Sequence, residues 1–133
     1  MSRDIRVHMG RDRYKTVIEV AEHQLLADEP TDVGGTDLGP SPTEYLLSSV
    51  ATCKAMTLRM YADRKSWDLE SVEITMSMSQ QRTDLQKTTF MHCHIRLSGQ
   101  LDDAQRQRLL TIAEKCPVHQ MLNSPIVIES NLI

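Results

Sequence analysis

Three cysteines are the residues of this 133-residue sequence best suited to chemistry, because a thiolate is a nucleophile, a metal ligand and a redox centre. Cys116 has the strongest electrostatic case. Pro117 suits the first position of a short helix, which places the Cys116 thiol at the N-cap, where unpaired amides and the helix dipole stabilise a thiolate. Lys115 is adjacent, and His119 lies one turn further on.

The other two cysteines lie within predicted secondary structure. Cys53 lies inside a long helix, where the dipole helps little, so an activated Cys53 thiol needs a cation from elsewhere in the fold. Cys93 shares a strand face with Met91, Ile95 and Leu97, which favours a packing role. Each cysteine taken singly also fits a small buried hydrophobic residue.

A metal site is the main rival interpretation of the cysteines. His92 and His94 flank Cys93, but neighbouring strand side chains point to opposite faces, so both histidines point away from the thiol. The sequence has no CxxC or HxxxH pair, and Ser48 and Ser49 lack the strained GxSxG turn of a serine nucleophile. The sequence therefore predicts no metal site and no serine chemistry.

Composition predicts one globular domain over residues 1–133, with 40% hydrophobic and 25% charged residues. A formal net charge of −3 gives no basic surface for nucleic acid or an acidic membrane. No apolar run approaches the roughly 20 residues that cross a bilayer. The N-terminus has no apolar signal core, so we expect a cytoplasmic protein whose thiols are reduced.

A long helix over residues 41–67 is the predicted centre of the fold. Ser41 is a natural N-cap, proline follows at the first helical position, and Glu44 completes a capping box. Lys54 is the only charge in residues 45–58, and a helix that is apolar nearly all round belongs in a protein interior. Helical spacing places Leu46, Val50, Cys53, Thr57 and Met60 on one stripe.

Alternating apolar and polar residues predict the strands around this helix. The order is βββ-α-ββ-α-α-β, an α+β fold. In sequence, the predicted segments are strands 5–9, 14–20 and 23–27, the long helix, strands 72–79 and 89–97, a helix capped by Asp102 and Gln105, helix 117–122, and strand 126–128. Residues 28–40 form an acidic loop, which either binds or covers something or is a solvated connector.

Several sequence runs together closely resemble the OsmC/Ohr family of thiol-dependent peroxidases. They are Gly-Gly-Thr-Asp at 34–37, Gly-Pro-Ser-Pro at 39–42, Ala-Thr-Cys at 51–53 and Cys-Pro-Val-His at 116–119. The likeness covers nearly the whole chain, and the predicted order of elements agrees with the family's. The resemblance implies an intertwined homodimer with each active site at the subunit interface.

The resemblance also implies a redox mechanism. In the family, the helix cysteine attacks a hydroperoxide and becomes a sulfenic acid, which the second cysteine resolves as a disulfide that a dithiol reductant reopens. On this chain Cys53 is then the peroxidatic residue and Cys116 the resolving one. The implied partners are a small-molecule hydroperoxide and a dithiol, and no metal or organic cofactor is required.

An arginine and a glutamate complete the family's site. Gly10-Arg11-Asp12 resembles the arginine's setting, which implies Arg11, with Arg13 as the second choice and a solvated turn as the alternative. The family's glutamate directly follows the helix-opening proline. That position is Thr43 here, and Glu44 comes one residue later, about 100° further round the helix. Glu44 is therefore either a displaced site residue or only the helix cap.

Three functional interpretations follow. The first is a cytoplasmic thiol peroxidase that acts on organic hydroperoxides or related oxidants through Cys53 and Cys116. The second is a binding or redox-sensing module on the same fold, with a pocket for a small apolar or thiol-bearing ligand. The displaced Glu44 and the acidic loop favour this second interpretation. In the third, all three cysteines are core residues.

Overall fold

The structure is a computed structural model that describes residues 3–133. It has an α+β fold, as predicted, and within the described residues no helix is long and apolar enough to cross a membrane. The elements are β1 (Ile5–His8), β2 (Thr16–Val20), β3 (His23–Ala27), a 3-10 helix (Thr31–Val33), α1 (Pro42–Lys65), β4 (Asp68–Arg82), β5 (Lys87–Gln100), α2 (Asp103–Ala113) and α3 (Pro117–Leu122).

The chain divides into two compact units, of which the first ends at Leu46 and the second is Leu47–Ile133. The first unit contains an antiparallel sheet in the order β1-β2-β3, which confirms the predicted hairpin and third strand. The prediction that β1 is half-buried is wrong, since all four of its residues are exposed and its apolar Ile5 and Val7 are 59% and 58% exposed.

The acidic loop 28–40 is organised on the carboxylate of Asp28, which is only 2% exposed. Its two oxygens accept five hydrogen bonds, from the backbone N–H groups of Tyr14, Glu29, Thr36 and Leu38 and from the Thr36 hydroxyl. A Cβ at Gly35 would lie 2.0 Å from the Glu29 carbonyl oxygen, so only glycine fits there. The loop's length is thus accounted for by its own internal bonds.

Helix α1 begins with the predicted capping box. The Ser41 N–H donates to Glu44 Oε1 at 2.8 Å, and the Glu44 N–H donates back to Ser41 Oγ at 3.3 Å. Two of the N–H groups that lack helical partners are therefore satisfied by side chains. Asp102 and Gln105 form the second predicted capping box in front of α2.

In the second unit β4 and β5 form a long antiparallel hairpin, with Met76 opposite Cys93. The two strands extend beyond the predicted segments because a register irregularity near Leu69 allows pairing to continue. Gly99 lies in this irregular region with φ +135°, and a Cβ there would come 2.0 Å from the Asp68 carbonyl oxygen. Glycine is needed at this position because side-chain residues rarely adopt that backbone conformation.

The core of the second unit joins α1, α2 and the hairpin. Its buried members are Leu58, Tyr61, Ala62, Leu69, Leu109, Ile112 and Ala113. The stripe through Leu46, Val50, Cys53, Thr57 and Met60 does not coincide with the buried side of α1. The buried line runs through Val50, Lys54 and Leu58, whereas Cys53 is half-buried and Met60 is 68% exposed. A lysine therefore lies on the buried side of the helix.

The predicted last strand at 126–128 is absent, and residues 125–133 contain neither helix nor strand. Val127 and Ile128 are 82% and 84% exposed. A strand is stabilised by backbone hydrogen bonds to a neighbouring strand, so an apolar run of β-branched residues is insufficient by itself.

Replacing Asp28 by asparagine tests the role of its carboxylate in the loop. The Asp28→Asn side chain has one acceptor oxygen and presents an NH₂ group to backbone donors, so several of the five bonds are lost. We expect the melting temperature at pH 7 to fall by roughly 5–10 °C. The matched control is Asp32→Asn, an exposed carboxylate of the same loop, which we expect to leave the melting temperature nearly unchanged.

The difference in melting temperature between wild type and Asp28→Asn should depend on pH. Hydrogen bonds, above all that from the Thr36 hydroxyl, lower the pKa of Asp28 well below its usual range. A lowered pKa gives stability that is fully present above the unfolded value of about 3.9 and is lost as the pH falls towards the folded value. Melting curves between pH 7 and 2.5 should therefore converge for wild type and Asp28→Asn. A constant gap across this range would contradict the assignment.

Candidate redox site at Cys53 and Cys116

Cys116 is the N-cap of α3, as predicted. Pro117 occupies the first helical turn, and the backbone N–H of His119 donates to Cys116 Sγ at 3.4 Å. The side chain of Cys116 is completely buried. The local sequence thus places a sulfur at a helix N-terminus but removes it from water.

The helix N-terminus was expected to stabilise a Cys116 thiolate, but an opposing effect is larger. Burial raises the pKa of Cys116, and the nearby Cys53 thiol raises it further, while the His119 N–H and the charge of Lys54 lower it. The net direction is upward because desolvation of a buried thiolate outweighs one hydrogen bond and a short helix terminus.

The fold brings Cys53 and Cys116 together. Cys53 lies half-buried in the middle of α1, and it is close enough to Cys116 for its thiol to raise the pKa of Cys116. Both are free thiols, as is Cys93. The backbone carbonyl of Cys53 accepts a hydrogen bond from the Thr57 hydroxyl at 2.7 Å. Two cysteines that are far apart in the sequence thus form one dithiol site.

The buried ammonium of Lys54 lies beside this dithiol. Lys54 is only 3% exposed, and its Nζ donates to the carbonyl oxygen of Ala113 at 2.8 Å and contacts His119 Nδ1 at 2.7 Å. Ala113 is the last residue of α2, and its carbonyl, at the negative end of the helix dipole, also accepts a long hydrogen bond of 3.5 Å from the Cys116 N–H. Lys54 therefore both satisfies that carbonyl and finds partners for its own charge.

These contacts define the protonation of His119. An ammonium has only donors, so Nδ1 of His119 must accept from Lys54, and the ring proton lies on Nε2. Glu114 Oε2 is also 3.4 Å from Nδ1, but Nδ1 cannot donate to a carboxylate while it accepts from Lys54. We therefore assign the shorter contact as the hydrogen bond and treat Glu114 as a nearby counter-charge.

A cavity of about 490 Å³ opens on the other side of Lys54 and His119. Cys93 lies in its wall with Glu114, and burial raises the pKa of the Cys93 thiol. Cys93 is thus a cavity residue instead of the core residue that the sequence favoured. Within the described residues, no group of three or more histidine, cysteine or acidic side chains is arranged to hold a metal ion.

The predicted arginine and glutamate lie in the first unit. Arg11 and Arg13 are both exposed in the bends between β1 and β2. The Glu44 carboxylate accepts from the Ser41 N–H, which lowers the pKa of Glu44, so its structural role as a cap is established. A role for Arg11 or Glu44 in the dithiol chemistry stays a prediction.

Sequence analysis missed the contribution of Lys54 to this site. The available signal was that Lys54 is the only charge within fourteen residues of an otherwise uncharged helix segment. A lone charge on a buried helix has to find partners inside the protein. The pairing with His119 could not be foreseen, since it depends on how α1 and α3 pack.

The chain belongs to the family of OsmC-like proteins, whose family model matches residues 35–131. The match includes Cys53, Lys54 and the Cys-Pro-Val-His run that begins at Cys116. No curated protein sequence matches the chain.

Solved structures of OsmC-type proteins share the fold. An OsmC-like protein from Mycoplasma pneumoniae has a TM-score of 0.74 and 20% identity, over 92% of this chain and 88% of the other. The organic hydroperoxide resistance protein OsmC from Legionella pneumophila gives 0.69 and 21%, over 92% and 89%. An organic hydroperoxide resistance protein from Vibrio cholerae, with captopril bound in one of its active sites, gives 0.67 and 16%, over 90% and 83%.

A variant with a single thiol tests the balance of forces at Cys116. In Cys53→Ser/Cys93→Ser, ultraviolet thiolate absorbance reports only Cys116. Burial has the largest influence on the pKa of Cys116. We therefore expect thiolate absorbance to reach its midpoint at a higher pH in the folded protein than in the same protein unfolded in urea. A folded midpoint at or below the unfolded one would mean that the helix N-terminus dominates.

Proposed function

We propose that the chain is a thiol-dependent peroxidase for organic hydroperoxides, with Cys53 as the peroxidatic residue and Cys116 as the resolving residue. The observation that carries the proposal is that Cys53 and Cys116, both free thiols, lie close enough for Cys53 to raise the pKa of Cys116. Membership of the OsmC-like family supports it. So does the fold shared with organic hydroperoxide resistance proteins.

In the first step, the Cys53 thiolate attacks one peroxide oxygen. An S–O bond forms, the O–O bond breaks, and the alkoxide leaves and takes up a proton to become an alcohol. Cys53 is oxidised to a sulfenic acid, and the peroxide is reduced. The half-buried position of Cys53 at the middle of α1 suits a small substrate.

In the second step, the Cys116 sulfur attacks the Cys53 sulfur. The S–S bond forms, the S–O bond breaks, and hydroxide leaves with the thiol proton as water. The two thiols lie near each other, so the resolving step needs little movement. An external dithiol then supplies two electrons and two protons, becomes a disulfide itself and restores both thiols.

The proposal includes a cytoplasmic homodimer whose active site contains Arg11, with Glu44 as a further candidate. Apolar residues left exposed on the single chain support an interface between subunits. Met56 and Met60 of α1 are 56% and 68% exposed, and residues 45–58 of that helix carry only one charge, that of Lys54. Burial of such side chains between two copies would be favourable by the hydrophobic effect.

The mechanism predicts different outcomes for the two cysteines. Cys53→Ser should reduce cumene hydroperoxide consumption to the background rate, because the nucleophile is lost. Cys116→Ser should still react once with peroxide and then hold a sulfenic acid that dimedone traps. The measurements are peroxide loss in the presence of dithiothreitol for Cys53→Ser and, for Cys116→Ser, intact-protein mass without dithiothreitol, because a dithiol would itself reduce the sulfenic acid.

Cys93→Ser is the matched control, since it removes a thiol without touching the proposed pair. We expect it to keep the wild-type rate of peroxide loss. Wild-type turnover by Cys53→Ser, or an unchanged thiol count after one equivalent of peroxide, would contradict the mechanism.

A second candidate function is a binding module whose cysteines respond to oxidation without turnover. The 490 Å³ cavity, lined by Lys54, Cys93, Glu114 and His119, favours it, because volumes of this size hold small ligands. The Vibrio cholerae neighbour holds captopril, a compound that carries a thiol.

Calorimetry with captopril tests this second candidate. If the chain is a binding module, captopril should bind the reduced protein, and dithiothreitol should sustain no peroxide turnover. Cys93→Ser should weaken binding if the cavity is the site. Turnover by the wild type would decide for the peroxidase.

A further inference from the structure

We infer that Lys54 is a positioning residue for the resolving cysteine. Its buried ammonium holds the segment on both sides of Cys116 and supplies the positive charge that a Cys116 thiolate needs. The inference deepens the proposed peroxidase function and rests on it for the resolving step. Its consequence for the ionisation of Cys116 stands independently.

The geometry places Lys54 across Cys116. One hydrogen bond reaches the Ala113 carbonyl, three residues before the cysteine, and the other reaches His119 Nδ1, three residues after it. The His119 backbone N–H in turn donates to Cys116 Sγ. One side chain of α1 therefore pins the end of α2 and the first turn of α3, which together place the sulfur beside Cys53.

Among the charged and titratable groups around the site, Lys54 is a buried cation. From α1 come Lys54 and Cys53, and the end of α2 contributes Glu114, whose side chain is 61% exposed. His119 of α3 contacts the ammonium through Nδ1, and Cys93 of β5 lines the same cavity as Lys54. In the described part of the chain, the positive charge that lowers the pKa of Cys116 is that of Lys54.

The consequence for the resolving step is kinetic. The attacking species is a thiolate, and burial disfavours it at Cys116. An ammonium without bulk water between it and the sulfur offsets part of that cost, because its charge is poorly screened. Removal of the ammonium should slow disulfide formation but leave the trapping of a sulfenic acid at Cys53 possible.

Thiolate titration tests the inference without peroxide. In the Cys53→Ser/Cys93→Ser background, Lys54→Met keeps the side-chain length but removes the charge and both donors. We expect the thiolate absorbance midpoint of Cys116 to move to higher pH. An unchanged midpoint in a folded variant, as judged by circular dichroism, would overturn the inference.

Two further variants separate charge from hydrogen bonding. Lys115→Met removes an exposed lysine directly before Cys116 and should leave the midpoint at the parental value, because water screens that charge. Lys54→Gln keeps a donor without the charge and also serves if Lys54→Met does not fold. It should shift the midpoint upward as well, and a parental midpoint in Lys54→Gln would show that the charge is not needed.

Stopped-flow kinetics connect the inference to the reaction. After one equivalent of cumene hydroperoxide at pH 7, Lys54→Met should form the disulfide roughly tenfold more slowly than wild type. Dimedone should then trap correspondingly more sulfenic acid. A wild-type rate of disulfide formation would overturn the role of Lys54 in resolution. A wild type that consumes no peroxide would instead reject the proposed function, while the titration would still decide the charge effect.

Discussion

A lysine ammonium that is shut away from water must find its partners inside the protein, and Lys54 imposes this constraint on the second unit. The cost of burying an unpaired charge is several kcal/mol, so α2 has to end where its last carbonyl meets Nζ. Helix α3 has to start where the His119 ring can accept. Cys116 lies between these two fixed points, and its place beside Cys53 follows from them. The buried charge is thus both a structural anchor and part of the site's electrostatics.

Two opposing effects act on the Cys116 sulfur. Its N-cap position provides an N–H and the positive end of a short helix, while complete burial removes the water that would solvate a thiolate. Burial prevails, so a protonated Cys116 is the resting form below the ordinary thiol pKa. In the proposed peroxidase this arrangement has a use, because a buried neutral thiol is poorly accessible to oxidants yet lies near the sulfur that it resolves. The Lys54 charge then offsets part of the reactivity that burial removes from the Cys116 thiol.

Local signals in the sequence were sufficient to predict where the three α-helices begin. Ser41 with Glu44, Asp102 with Gln105, and Cys116 before proline each satisfy N–H groups within a few residues, so no distant part of the fold can change them. Features that depend on packing were not predictable in the same way. The buried line of α1 passes through Lys54 because α2 and α3 offer it acceptors. The apolar run at 126–128 does not form a strand, because an apolar pattern does not ensure that a neighbouring strand is there to pair with it.

The neighbours at about 20% identity define the fold of this chain, but chemistry is carried by individual side chains at the site. On this chain the site is more than two cysteines. The same α1 that carries Cys53 also carries the cation for Cys116, at the next residue, and a helix turns about 100° between them. One residue therefore faces its partner thiol while the other faces the ends of α2 and α3. In the proposed peroxidase, adjacent positions on a single helix would thus couple the nucleophile to the group that positions the resolving thiol.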